Sequence, residues 1–211
     1  MAISSGKVLI AHDRGFGARF IAGVDEVGRG SLAGPLVAAG VVLDLERLRG
    51  RQEAALSGLR DSKRCSPETR ERLLTAILAA SALVVVEVVS SCDVDRSGVH
   101  KANLEALRRA VSACVPPAEV CLVDGFALGP EAPVHEALVG GDGRSAAIAC
   151  ASIVAKVVRD RTMRRFDSLY PQFGFAANVG YITGAHAAAV REHGRCCLHR
   201  RSFRAACFQK S

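Results

Sequence analysis

The sequence predicts an α/β domain, and three observations predict it. Short apolar, β-prone runs at residues 20–24, 82–90 and 120–123 alternate with stretches of helical periodicity. Two of these runs end in an acid followed closely by glycine, at Asp25-Glu26-Val27-Gly28 and at Asp124-Gly125. The chain of 211 residues is 49% hydrophobic with no Trp, enough for one real core packed by Val, Leu, Ile and Ala.

Residues 1–19 read as a loosely held lead-in, with Arg14-Gly15-Phe16-Gly17 loop-like. Residues 20–24 form a buried strand that runs directly into Asp25 and Glu26, then Gly28-Arg29-Gly30. Paired carboxylates at the end of a buried strand are costly unless something positive neutralises them. A divalent cation is one such thing, because Mg2+ takes hard oxygen ligands. The glycines let the backbone come close to a ligand and offer N–H donors. A glycine-rich hairpin with two solvated acids is the competing account of the motif. Gly28, Gly30 and Gly34, with Asp44 beyond, also resemble a dinucleotide fingerprint. Length decides against that reading. Only Ser31, Leu32, Ala33, Gly34 and Pro35 separate Gly30 from the apolar run beginning at Leu36, whereas a parallel crossover needs roughly 10–12 residues. The second strand, residues 35–44, must return antiparallel.

Residues 46–60 are charged and irregular, with room for a short helix. After Asp61-Ser62-Lys63, Ser66 is placed to cap a helix with Pro67 at its first position, running to about residue 80. Leu73, Leu74, Ile77 and Leu78 supply its buried face. In the strand at 82–90 the lone acid, Glu87, is expected to face solvent. Asp93 and Asp95 read as loop polarity. Residues 99–115 form an amphipathic helix with Leu104, Leu107, Val111 and Cys114 on one side, stopped by Pro116-Pro117. Asp124 ends the next strand, either as a turn-forming Asp-Gly or as a site acid. Residues 132–139 are a short edge strand. Asp142 then lies in a glycine-rich turn before a long helix at 145–166, and the turn is no P-loop. Within that helix Ile153, Val154, Val157 and Val158 share one arc, with Lys156, Arg159 and Met163 on the other side. Asp160, four residues from both Lys156 and Arg164, reads as a surface ion-pair residue. Thr183 caps a last helix closed by Gly194, and Tyr181 stands at its mouth.

The formal charge of +7 is unevenly placed, since residues 151–211 hold 11 Lys/Arg against 3 Asp/Glu. A near-neutral body with a basic C-terminal third suits a polyanion held over a metal site, although a solvated basic face has the same composition. The chain has 8 Cys and no C-x-x-C pair, and Cys92, Cys114, Cys121 and Cys150 lie in or beside apolar segments. That pattern suits free thiols in a reducing, cytoplasmic compartment. Neither a signal-peptide core nor a run long enough to span a membrane is present in the sequence.

An opening segment and six more in order resemble the ribonuclease HII family. Asp25-Glu26-Val27-Gly28-Arg29-Gly30 with Leu32-Ala33-Gly34-Pro35 is similar to its opening signature. Asp61-Ser62-Lys63, Leu122-Val123-Asp124-Gly125, Gly141-Asp142, residues 151–160, Gly180-Tyr181-Ile182-Thr183 and residues 199–203 follow. The resemblance covers residues 20 to about 204. It implies a ribonuclease H-like mixed β-sheet flanked by helices, a catalytic domain at 20–168, and a helical, basic C-terminal extension at 169–211. It implies a metal-dependent endonuclease, expected to be monomeric, that cleaves the RNA of RNA–DNA hybrids and cuts 5′ of single ribonucleotides embedded in duplex DNA. The ends left would be 5′-phosphate and 3′-hydroxyl, and the role would be ribonucleotide excision repair. The implied cofactors are two Mn2+ or Mg2+ ions held by Asp25, Glu26, Asp124 and Asp142, with no protein nucleophile. RNA selection needs a sensor for the 2′-OH, and the implied candidates are Gly28, Arg29 and Gly30 with Tyr181 packing on the sugar. Lys63 is either a phosphate contact or a surface lysine. His186 fits a family histidine of undefined role, and residues 199–203 contact phosphate or pack on a helix. Ser31 and Cys65 depart from the usual family residues, proline and leucine, without removing an acid. A non-catalytic hybrid-binding module would be expected to lack one of the four acids, and all four are present.

Overall fold

Strand β1 (Phe20–Val27) and strand β2 (Leu36–Asp44) pair antiparallel across the short 28–35 link, from Phe20 opposite Asp44 to Val27 opposite Val37. The computed structural model describes residues 5–203. Residues 1–4 of the expected lead-in and 204–211 of the expected C-terminal extension lie outside the described residues. Strand β3 (Ser81–Val89) adds antiparallel to β2, strand β4 (Val120–Asp124) adds parallel to β1, and strand β5 (Glu136–Leu138) adds parallel to β4. The sheet is therefore mixed, in the order β3-β2-β1-β4-β5.

Side-chain alternation along β1 and β2 divides the core in two. Ala22, Val24, Ala38 and Val42 face helix α5 (Val99–Cys114), which covers one side with Leu107, Val111 and Cys114. Ile21, Val37, Ala39, Val41 and Leu43 face helix α6 (Ala146–Asp167) and, beyond it, helix α3 (Pro67–Ala80). The start of α6 is rich in Ala because its backbone lies directly on β1. A Cβ added at Gly23 would fall 2.0 Å from the Ala147 carbonyl carbon. Ser66 caps α3 through the Thr69 N–H, with Pro67 at the first helical position as the sequence predicts; such a cap contributes about 1 kcal/mol.

Several expectations are corrected. Residues 5–14 are not a loose lead-in but a helix, α1 (Ser5–Arg14), with Leu9 and Ile10 in the core. Its buried Asp13 accepts the Ala147 N–H at 2.9 Å and so caps the amino end of α6. The short helix for which residues 46–60 have room does form, as α2 (Arg51–Ala55). On α3, Leu78 is exposed rather than packed. Asp93 and Asp95 sit in helix α4 (Ser91–Ser97), begun by the Ser90 cap, and Asp95 accepts N–H bonds from Arg201 and Ser202. Glu87 is half-buried, its carboxylate 3.5 Å from Arg109 Nε. The side of α6 that carries Lys156, Arg159 and Met163 is packed as well. Arg159 and Met163 are fully buried, and Met163 packs with Ala33, Phe173, Phe175 and Val190 in a third apolar cluster. Asp160 is not a surface residue: it is buried between Lys156 Nζ at 2.8 Å and Arg70 at 3.5 Å.

The chain closes through helix α7 (Phe175–Asn178) and helix α8 (Gly184–His193), capped by Thr183 and ended at Gly194 as the sequence predicts. Residues 199–203 then return to the 31–34 segment, where Ala33 and His199 form an antiparallel bridge. No helix among the described residues is long and apolar enough to cross a membrane.

Candidate active site

Asp25 and Glu26 are consecutive on β1, so the pleat turns them to opposite faces. Asp25 is buried toward α6, where the Ser152 hydroxyl is near enough to lower its pKa, and its Oδ1 accepts the Glu26 N–H at 2.6 Å. Glu26 turns toward α5, beside Asn103, and its Oε1 lies 3.3 Å from the half-exposed Arg29 guanidinium. The Asn103 amide is buried and near enough to lower the Glu26 pKa, yet neither of its polar atoms makes a hydrogen bond of good geometry. The parallel pairing of β1 with β4 ends at Val24 opposite Val123, which sets Asp124 beside Asp25. Asp124 Oδ1 accepts the Gly141 N–H at 2.7 Å. That bond ties down the turn at Gly141–Gly143 that carries Asp142 just before α6.

A groove of about 560 Å3 runs along these residues. Asp25, Glu26, Asp124 and Asp142 line it, together with Gly28, Arg29, Gly30, Lys63 and Tyr181. Every residue singled out in the sequence for the site therefore reaches one groove, although they come from five separate stretches of chain. Ser62, Ser152 and Lys156 also line it, and no role for them follows from the sequence alone. A signal for two of them was present: Ser152 and Lys156 are four apart, on one face of a helix. Asp61 caps the short turn that presents Lys63, through the Lys63 N–H at 2.8 Å, and its charge adds to that of Asp142.

The electrostatics are those of crowded acids. Burial, then the charge of Glu26, pushes the Asp25 carboxyl up to about 8, against the opposing effect of the nearby Ser152 hydroxyl. Burial also raises Glu26, with Arg29 pulling the other way. Burial, Asp61 and Asp124 together raise Asp142, and Lys63 opposes them. Such a site holds its acids at a cost that a cation relieves. The donors are all hard oxygens, the type that suits Mg2+ or Mn2+. Among the described residues, no three acids, His or Cys gather closely enough to form a ready-made coordination shell. The carboxylates line a groove rather than converge on a point, as expected where substrate oxygens complete the coordination.

Gly28 and Gly30 differ in what they require. Gly28 has φ +89°, and a Cβ there would meet Arg159 Nε at 2.3 Å; at Gly30 a Cβ would meet open space. Tyr181 lies across the groove, with the Arg159 guanidinium 5.3 Å from its ring centroid. A chain of neutral imidazoles fixes its backbone. The Cys196 N–H donates to His199 Nδ1, so His199 Nε2–H donates to His186 Nε2 at 3.1 Å, and His186 Nδ1–H donates to the Tyr181 carbonyl at 2.9 Å. His186, undefined in the sequence, is thus a buried support for Tyr181.

A mixed sheet with an acidic groove across the ends of β1 and β4, covered by α5 and α6, defines a ribonuclease H fold. Solved structures agree. The chain superposes on ribonuclease H2 from Pyrococcus horikoshii OT3 with TM-score 0.74 at 24% identity, covering 90% of this chain and 95% of that one. It superposes on Bst-RNase HIII in complex with Mn2+ with TM-score 0.69 at 21% identity, covering 97% and 70%. The sequence matches the Ribonuclease HII family profile over residues 22–206. It is 48% identical to ribonuclease HII of Rhizobium johnstonii over 186 residues, 87% of this chain and 77% of that protein. It is 46% identical to ribonuclease HII of Geobacillus kaustophilus over 187 residues, 89% and 69%. The chain belongs to the ribonuclease HII family, whose members depend on divalent metal, and is an endoribonuclease of the ribonuclease H type, a hydrolase acting on RNA–DNA hybrids.

Proposed function

We propose that this protein cuts duplex DNA on the 5′ side of a single embedded ribonucleotide, as well as the RNA strand of hybrids, leaving 5′-phosphate and 3′-hydroxyl ends. The observation that carries the reading is the line of four acids, Asp25, Glu26, Asp124 and Asp142, beside the Gly28–Gly30 backbone in one groove, with Asp25 pushed up to about 8. Those acids would hold two Mg2+ or Mn2+ ions. What the ions supply is Lewis acidity toward the scissile phosphate and a more acidic attacking water. The chain's own residues do the rest. The Glu26 N–H orients Asp25, the Gly141 N–H orients Asp124, and Lys63 and Lys156 offer positive charge to the phosphate backbone. The backbone of Gly28, Arg29 and Gly30 reads the 2′-OH while Tyr181 packs on the sugar, which separates RNA from DNA at one nucleotide. All of these groups come from one chain, which supports action as a monomer. Incubating a duplex carrying one ribonucleotide, with Mn2+, Mg2+ or EDTA, tests the proposal. Cleavage 5′ of the ribonucleotide in both metals and none in EDTA is expected. Equal cutting of an all-DNA duplex would refute it.

A further inference from the structure

Two arginines from distant parts of the chain are buried beneath the 28–35 segment. Arg159, on α6, donates from Nε to the Pro35 carbonyl at 2.8 Å, and from its terminal nitrogens to the Val179 carbonyl, the Ser31 hydroxyl and the Ala33 carbonyl. Arg200 donates to the Arg29 carbonyl at 2.9 Å and twice to the Gly34 carbonyl. The Ser31 hydroxyl, which accepts from Arg159, donates in turn to the Gly28 carbonyl at 2.9 Å. Every one of these acceptors is a main-chain carbonyl or a hydroxyl, never a carboxylate. Burial and the nearness of Arg159 lower the Arg200 pKa to about 10, so it stays charged at neutral pH.

Burying two neighbouring cations with no carboxylate hydrogen-bonded to either, and only the charges of Asp160 and Asp95 acting from further off, is expensive, and packing alone does not call for it. Geometry does. Three of the carbonyls so held, those of Gly28, Arg29 and Val179, belong to or border the two elements that face the groove beside the acids. Gly180 completes the link: its carbonyl accepts the Ala33 N–H at 3.1 Å, and a Cβ on it would meet the Ala33 oxygen at 2.2 Å. Val179, a β-branched residue, is held at φ +42° in the same turn, a backbone that persists only where surroundings over-determine it.

We propose that Arg159 and Arg200, with Ser31 as relay, are positioning residues for RNA selection, locking the 28–30 backbone and Tyr181 into one geometry before substrate arrives. The inference rests on the reading that these two elements contact the ribose. Neither arginine needs to touch substrate; both act through the carbonyls they hold.

The test uses Ser31→Ala, Arg200→Lys and Arg200→Met in the full chain, with a duplex carrying one ribonucleotide as substrate. Ser31→Ala should lower kcat about tenfold and Arg200→Met about a hundredfold, the scale of a misplacement of roughly 1 Å. KM and the Mn2+ concentration for half-activation should change little, and Arg200→Lys should recover part of the loss. A general structural defect would instead weaken Mn2+ activation alongside kcat. A folded Arg200→Met with wild-type kcat, or a kcat loss matched by equal loss of Mn2+ activation, overturns the proposal. If Arg200→Met does not fold, Ser31→Ala and Arg200→Lys decide by the same two readouts. The underlying reading fails separately: Gly30→Val cutting as well as wild type would show that the 28–30 backbone does not contact the ribose.

Discussion

Asp124 accepts a hydrogen bond from the Gly141 N–H at 2.7 Å, so one candidate metal ligand fixes the turn that carries another, Asp142. Charge and geometry at Asp124 can therefore be separated. Asp124→Asn keeps an acceptor for Gly141 and removes the charge, and it should reduce cleavage at least about a hundredfold with little change in melting temperature. Asp124→Ala should lose activity and, in addition, about 1 kcal/mol of stability from the missing bond. Cleavage assays and thermal melts on the two variants, with Asp25→Asn alongside, check both statements. Near wild-type turnover in Asp124→Asn would remove it from the metal site.

The raised Asp25 carboxyl predicts how metal-free stability depends on pH. Its folded pKa of about 8 lies above the ordinary carboxylate value of 3.8, so the folded state binds the proton more tightly, and its stabilising effect is lost as pH rises toward 8. The buried histidines act in the opposite sense. Burial lowers both, His199 to about 4, so their contribution is present above 6.5 and lost as pH falls. Between pH 6.5 and 8 the carboxylates dominate. Melting temperature in EDTA should fall across that window, and should fall less in Asp25→Asn. Saturating Mn2+ should reverse the trend, because binding needs the ionised acids.

Asp160 should separate stability from catalysis. Its carboxylate is buried between Lys156 and Arg70, and breaking a buried pair costs roughly 3 kcal/mol. Asp160→Asn should melt well below wild type yet retain metal-dependent cleavage at a temperature where it is folded. Asp25→Asn should show the reverse pattern. Denaturant midpoints paired with single-turnover rates make the comparison; a folded but inactive Asp160→Asn would place that acid in the reaction.

The two glycines predict different failures. Gly30→Val meets open space in the free protein, so it should fold normally, bind all-DNA duplex with unchanged salt dependence, and fail to cut at a ribonucleotide. Gly28→Val collides with Arg159 and forces a β-branched residue to positive φ, so it should also lose stability. Tyr181→Phe should retain much activity and Tyr181→Ala little if the ring packs on the sugar. Loss in both would assign the function to the hydroxyl.

The local elements were legible because their signals are local. The short 28–35 link forced the antiparallel hairpin, Ser66-Pro67 and Thr183 announced their helices, and two strands ending in acid and glycine pointed to neighbouring strand ends of one sheet. The candidate site residues were named through the family resemblance that motifs at strand ends and turns carry; by itself Asp142 reads as a turn acid and Asp124 as a turn-forming Asp-Gly. The rest depended on what the fold lays over a segment. Nothing in residues 5–14 announces that Leu9 and Ile10 meet the core, or that Asp13 caps a helix more than a hundred residues away. Asp160 has the spacing of a surface ion pair, and only Arg70, on another helix, makes it a buried one. Arg159 and Arg200 look like parts of a basic surface in a basic C-terminal third. Tertiary structure buries them against carbonyls, because a loop without its own secondary structure must find its hydrogen bonds elsewhere in the chain.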